Sequence, residues 1–425
     1  MKPLRKDQGT SIQLTPNSLE SLTFRYHLAA SFSNGITYGI YILHDFVARK
    51  TLGAPAWQLT IIVSLWPLAN LFAVHWGQAM QGREKRPFLL GAGIFGRLIL
   101  LASFLITSSE ILIPFLLLVS AAASIIEPAQ NAIFQSNYRT KHRGRLFGWA
   151  VSTQVGVATV VAFFAGKLLD QDPWLFQELF ALAGITGFIQ CYILASIPAE
   201  PRKRIEPDTT RRAVWQKLLQ PFQDAVLILK KKNDFFIFES AFFVYGCGFI
   251  LLLPVMPIYF ADYLHSDYSQ YGFTRGLIGQ LGMVLLAPVL GMVLDRLHPW
   301  RFCSATFGFL LLFPVLLLFS TWSKENGLLW VMAAYGIFGL AMAGVQVAWS
   351  LGSIYFAGEE DSSMYQGVHV TLVGLRGLLA PWIGLASYQL GGPRAAFILA
   401  AFFFLTAMTL MRIGSARERK MHIRQ

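Results

Sequence analysis

Twelve apolar stretches of about 20 residues each follow one another along this chain and leave it little choice of fold. They begin near Phe24, Ala56, Phe88, Ile111, Leu146 and Trp174. After a longer polar gap they resume near Phe235, Tyr271, Cys303, Leu328, Gly367 and Ala395. A stretch of that length crosses the hydrocarbon core of a bilayer as one helix. The runs lack period-2 alternation, which argues against a transmembrane barrel. Composition agrees: 55% of the residues are hydrophobic, 14% are charged and the mean hydropathy is +0.50. A soluble chain this apolar could not cover its surface with polar groups. Residues 1–22 contain no apolar signal-peptide core, so the first stretch is expected to act as its own insertion signal.

The net charge of +12 has a topological reading. With both termini on the cytoplasmic side, Lys and Arg concentrate in the tails and in the loops after spans 2, 4 and 6. The outside segments hold only Arg49, Lys50, Lys167, Lys324 and Arg394, and three arginines, Arg97, Arg275 and Arg376, fall inside spans. That bias fixes orientation. Nucleic-acid binding is disfavoured because the charge follows the loops rather than one folded face. The expected organisation is a cytoplasmic tail (1–22), a six-helix bundle (23–197), a cytoplasmic linker (198–233), a second six-helix bundle (234–414) and a cytoplasmic tail (415–425). Within the linker, Arg211 to Leu219 reads as a short basic helix lying on the membrane, with Trp215 as its anchor.

Between spans 8 and 9 stands Gly291-Met292-Val293-Leu294-Asp295-Arg296. A glycine lets two helices approach closely. An acid near a helix start is favoured by the dipole, and an arginine can bridge to an acid in two-pronged fashion. Between spans 2 and 3, Gly77 and a basic end (Arg83, Lys85, Arg86) recur, with Gln81 and Gly82 at the Asp and Arg positions. The first hexapeptide, with its degraded copy about half a chain earlier, resembles the loop signature of the major facilitator superfamily of secondary transporters. The resemblance implies an all-α membrane protein of twelve helices in two pseudo-symmetric six-helix bundles, working by alternating access. It also implies that spans 1, 4, 7 and 10 line a central cavity and that these loops latch the cytoplasmic side. Asp295 would then face Arg143 and Arg145, and Arg83, Lys85 and Arg86 would face the acidic run Glu359, Glu360 and Asp361 of the loop between spans 10 and 11.

Charges inside spans are costly and need partners. Glu127 in span 4 lies near the midplane, and Arg97 (span 3) and Arg376 (span 11) lie at similar depth. Glu127 can pair with either arginine, as a structural link to Arg97 or as a proton-coupling carboxylate with Arg376 as anchor for an anionic solute. Asn34, Tyr38, Tyr41 and Asp45 share one face of span 1, Glu127, Gln130 and Asn131 one face of span 4, and Gln346, Trp349, Ser350 and Ser353 one face of span 10. These faces are candidate solute contacts, with plain interhelical hydrogen bonding as the alternative. Asp45 is a second candidate for proton coupling, or with Arg275 part of an external gate. Glu178 and Glu239 are read in the first turns of spans 6 and 7, where the helix dipole accounts for them without function. His369 reads either as packing or as a proton carrier. Pro254 and Pro257 are expected to break span 7, Pro128 span 4 and Pro381 span 11.

No H-E-x-x-H or G-x-S-x-G occurs and the histidines are scattered, so an enzyme is not expected. Cys191, Cys247 and Cys303 have no metal spacing, and no cofactor is expected. The expected function is proton-coupled transport of a small organic, anionic solute by a monomer in a bacterial inner (plasma) membrane. The alternative is a drug or metabolite efflux pump, or a lipid flippase, on the same fold.

Overall fold

The structure is a computed structural model, and it describes residues 16–72, 75–76, 79–80, 82–199, 229–230, 232–282, 285–286, 298–323, 325–357 and 362–424. The loop signature at 291–296, Gly77, Gln81, the linker helix at 211–219 and the acidic run 359–361 lie outside the described residues. So do the side chains of Trp349, Ser350 and Ser353.

Among the described residues every regular element is helical. The first half holds α1 (Pro16–Tyr41), α2 (His44–Lys50), α3 (Ala56–Asn70), α4 (Arg86–Ala92), α5 (Ser109–Asn137), α6 (Thr140–Gln171) and α7 (Phe176–Ala195). The second holds α8 (Asn233–Ile250), α9 (Val255–Ile258), α10 (Tyr268–Gly272), α11 (Pro299–Leu310), α12 (Leu312–Ser320), α13 (Gly327–Ala357) and α14 (Ser362–Arg424). Among the described residues eight stretches are long and apolar enough to cross a membrane. The last, Thr371–Glu418, is 48 residues long. That is twice what one crossing needs, and α14 leaves helical geometry inside it, at Gly391 and Gly392. The first expected span falls short of that apolarity because α1 carries Arg25 and His27 together with Ser31, Ser33, Asn34 and Thr37. The second and eighth are interrupted by residues outside the described set.

Local details differ from the expectation. Span 7 does break, over Leu251–Pro254, before α9 and a π-helical turn at Tyr259–Tyr263. Pro128 and Pro381 break nothing: both sit within continuous helices, where neighbours can satisfy the freed carbonyls. Two π-helical turns carry buried-side arginines, Gly93–Arg97 and Phe273–Ile278, which contains Arg275. An extra residue per turn re-aims side chains, and such turns concentrate at functional sites.

The packing is unequal at the two ends. One end holds the start of α1 and the end of α14; it is called proximal here, and the other distal. Toward the distal end a single apolar cluster runs through both halves, joining Ile40, Leu43 and Phe46 to Phe260, Tyr268 and Tyr271. Toward the proximal end the cores are separate. Ala30, Leu89, Phe134 and Tyr138 form one cluster in the first half, and Phe235, Tyr365 and Val368 another in the second. Among the described residues a core shared by both halves thus lies toward the distal end alone.

Candidate functional site

The shared core has a polar spine. Asp45, fully buried on α2, accepts from the Tyr271 hydroxyl at 2.9 Å and forms an ion pair with Arg275. The Arg275 guanidinium also donates to the Tyr271 oxygen, so the three groups close a ring across the halves. Phe46 stacks on Tyr271 with centroids 4.2 Å apart and shields the ring from one side. Farther out, Arg49 makes a two-pronged bridge to Asp262 and donates to the Ala54 carbonyl. Lys50 donates to the Ser266 carbonyl at 2.6 Å. Asp170, at the end of α6, accepts from the backbone N–H groups of Tyr268 and Ser269 at 2.6 and 3.1 Å. It thereby caps the start of α10 in the opposite half, where the dipole favours an anion.

Beneath this spine the helices meet backbone to backbone. Thr159 on α6 donates to the Gly276 carbonyl at 3.2 Å. A Cβ on Gly272 would stand 2.6 Å from the Ala162 carbonyl oxygen, closer than real side chains come, so only glycine permits this approach. On the other flank, Pro67 and Leu71 of the first half press on Gly377 and Gly374 of α14.

The exposed members of the spine should matter least. Side chains of Arg49 and Asp262 are 25% and 33% exposed. A bridge of that kind contributes about 0–1 kcal/mol. Replacing Arg49 with Gln should therefore change accessibility from the distal side by no more than about fivefold, read by maleimide labelling of a reporter cysteine at position 34. A larger effect would place the latch at Arg49.

At mid-depth the expected solute-facing residues separate. α1 has two polar faces. Ser33 and Thr37 bind α7, through the Thr186 and Ala183 carbonyls at 2.7 and 3.2 Å and the Thr186 hydroxyl at 2.8 Å. Asn34, Tyr38 and Tyr41 point elsewhere and are part-exposed. On α5, Glu127 and Asn131 are exposed and Gln130 is half-buried. Asn131 lines an open cavity of about 520 Å³ with Pro128, Ala132, Gln135, Arg143 and Phe147. Glu127 lies one turn deeper on the same face. Gln346 is exposed on α13.

The pairings expected of Glu127 are not formed. Arg97 is buried and makes no ion pair with it, and the buried Arg97 Nε has no hydrogen-bond partner among the described residues. Arg376 is buried too; it donates to the Phe242 carbonyl and lies over the Tyr245 ring at 5.3 Å. A Cβ at Gly246 would occupy its place. Both arginines thus lean on their own half rather than on the carboxylate.

At the proximal end no hydrogen bond or ion pair joins the halves among the described residues. Arg143 donates to the Gln135 and Tyr138 carbonyls of its own half at 3.0 and 3.3 Å. Lys85 donates to the Met80 and Arg83 carbonyls, while Arg83, Arg86 and Arg145 are exposed. Glu20 meets the His142 ring at 3.1 Å and the Arg139 N–H at 3.0 Å. Burial alone would raise the Glu20 carboxyl, but these bonds outweigh it and hold it below its ordinary range.

Sequence reasoning missed one arrangement. Glu239 is the seventh residue of α8, past the first turn, and it answers to His369 rather than to the helix dipole. The two side chains are 2.9 Å apart and both buried. Two ionisable groups inside adjacent membrane spans were the only available signal.

Among the described residues the regular elements are all helices, eight of them long and apolar enough to cross a membrane, and known proteins share this architecture. The family model of the Major Facilitator Superfamily matches residues 26–381 and 241–422. The chain belongs to this superfamily. A search of curated proteins gave no match. Among solved structures, the nucleoside transporter NupG superposes with a TM-score of 0.64 at 14% identity, covering 93% of this chain and 98% of that one. A bacterial homologue of the human lysosomal transporter Spinster, inward-facing and unoccupied, gives 0.62 at 14% identity, with 96% of each chain covered. At that identity the likeness speaks for the superfamily fold. The protein is thus a multi-pass membrane protein of a secondary-transporter superfamily.

Proposed function

We propose that this protein carries a small organic anion across the membrane by alternating access between two six-helix bundles, driven by protons. The single observation behind this reading is the contrast between the ends. Asp45, Tyr271 and Arg275 seal the distal end in buried contact, while Glu127 and Asn131 stand exposed toward the proximal end. With the positive-inside orientation, the distal end is the outer face and the cavity opens to the cytoplasm. The Spinster homologue of similar fold, described as inward-facing, supports that assignment.

Glu127 is the proton-coupling carboxylate in this reading. It is exposed one turn deeper than the cavity-lining Asn131, free of any ion pair among the described residues, and close enough to the Arg97 charge to feel it. Asn34, Tyr38, Tyr41, Gln130, Asn131, Gln346 and Trp349 supply solute contacts, and Arg376 the anion anchor. Gly291, Asp295, Arg296 and the basic groups at 83, 85, 86, 143 and 145 close the cytoplasmic side in the opposite state, against Glu359, Glu360 and Asp361.

The test is uptake into proteoliposomes under an imposed pH gradient, screened with radiolabelled carboxylates, sugar phosphates and nucleosides. The nucleosides are included because NupG carries them. Glu127→Gln should abolish pH-driven uptake of the accepted solute and spare counterflow exchange. PH-driven uptake at the wild-type rate in that variant would remove Glu127 from the mechanism.

A further inference from the structure

Between α8 and α14 lies a second set of buried ionisable groups. Glu239 and His369 are 1% and 2% exposed. His369 Nδ1 lies 2.9 Å from Glu239 Oε2 and 3.1 Å from Oε1, and the Phe242 ring stands edge-on to the imidazole at 5.2 Å. Two turns farther along α14 is Arg376, which donates to the carbonyl of that same Phe242. Seven residues at ~1.5 Å rise put the two levels roughly 10 Å apart. The neighbouring titratable groups are Tyr245 and Cys247 on α8 and Cys303 on α11, with Lys232 over the Tyr365 ring at 5.1 Å toward the proximal end. Phenols and thiols in apolar surroundings stay neutral near pH 7. Among the described residues buried at this interface, the charge is therefore set by Glu239, His369 and Arg376.

A carboxylate beside a neutral imidazole carries one negative charge, which faces Arg376 through a medium that screens weakly. One added proton makes the pair neutral overall, whether it ends on the ring or on the carboxyl. No other bond forms or breaks; the proton is taken from water on one side and returned to water on the other. Protonation thus removes the negative charge facing Arg376, and a buried guanidinium then favours an incoming anion. We propose that the Glu239–His369 pair is a proton-binding site, additional to Glu127, whose occupancy sets whether Arg376 accepts the carboxylate or phosphate group of the solute. It rests on the proton-coupled reading above. A pair kept only to join two helices is the competing account, and buried ion pairs are weak evidence of stability.

Charge displacement on a solid-supported membrane tests this on the full-length protein without any solute. Steps from pH 7.5 to lower values should give wild-type proteoliposomes a transient current with a defined midpoint. Glu239→Gln and His369→Gln should each lower its amplitude by half or more. Arg376→Gln should move the midpoint upward by about 0.5 pH unit or more, because removing a positive charge eases protonation. Full amplitude in both carboxamide variants overturns the site while leaving proton coupling through Glu127 intact. An unmoved midpoint in Arg376→Gln overturns the link to the anion anchor. No wild-type current would remove the proton-coupled reading itself. If neither carboxamide variant elutes as a folded protein, Glu239→Asp serves with Arg376→Gln, and midpoints unmoved in both overturn the proposal.

Discussion

Asp45→Ala should open the distal side, the outer face in the proposed orientation. The substitution leaves Arg275 without the carboxylate it contacts across the halves, and takes from Tyr271 its 2.9 Å acceptor. Removing one partner of a buried pair costs about 3–5 kcal/mol. The Asp45 side chain is 1% exposed but that of Arg275 is 23% exposed, which argues for the lower end of that range. The cost falls only on the state that is closed at this end. With ~1.4 kcal/mol per tenfold, outside labelling of a cysteine at position 34 by an impermeant maleimide should rise at least tenfold. The background is clean, since Cys191, Cys247 and Cys303 are all buried. Tyr271→Phe, which removes one hydrogen bond of about 1 kcal/mol, should give a smaller rise. Labelling in Asp45→Ala equal to that of the parent would show that the ring of polar groups holds nothing shut.

The second large effect is steric. Gly272→Val places a branched side chain where a Cβ alone would stand 2.6 Å from the Ala162 carbonyl oxygen. Backbone cannot yield as a flexible side chain can, so α6 and α10 must separate. Overpacking of this kind costs about 1–3 kcal/mol, again in the distally closed state alone. Outside labelling at position 34 should rise between about fivefold and a hundredfold, and transport should fall because the cycle can no longer complete its closure. Unchanged labelling with normal transport would mean that the contact is loose.

The two substitutions separate what the sequence displays from what only packing reveals. The spans are legible because bilayer thickness imposes a length on every crossing helix, and a deviation such as the polar α1 is explained by its own Ser33 and Thr37 contacts. Asp45 and Arg275 each stood out as charges in apolar surroundings, yet 230 residues separate them and no local pattern states their distance. Glu239 shows the same limit. Its register against His369 is set by how α8 packs on α14, and a reading from the helix dipole alone assigned it to the wrong cause. The π-helical turns at Arg97 and Arg275 leave no mark in composition or period, although each redirects a charge. Glu127 is the reverse case. Its charge within an apolar span is legible, and its partners are not, because neither candidate arginine pairs with it among the described residues.

The shared aromatic cluster at the distal end also has a thermal meaning. Parting the halves there would wet Phe46, Phe260, Tyr268 and Tyr271, rings that now lie within one dry cluster. Exposure of apolar surface carries a positive heat-capacity change, and the drive to keep it buried weakens on cooling. Among the described residues the proximal end has no matching cluster shared by the halves. The balance between the two faces of this protein is therefore tied to temperature through one end of the molecule, and cold acts on that end as a solvent would.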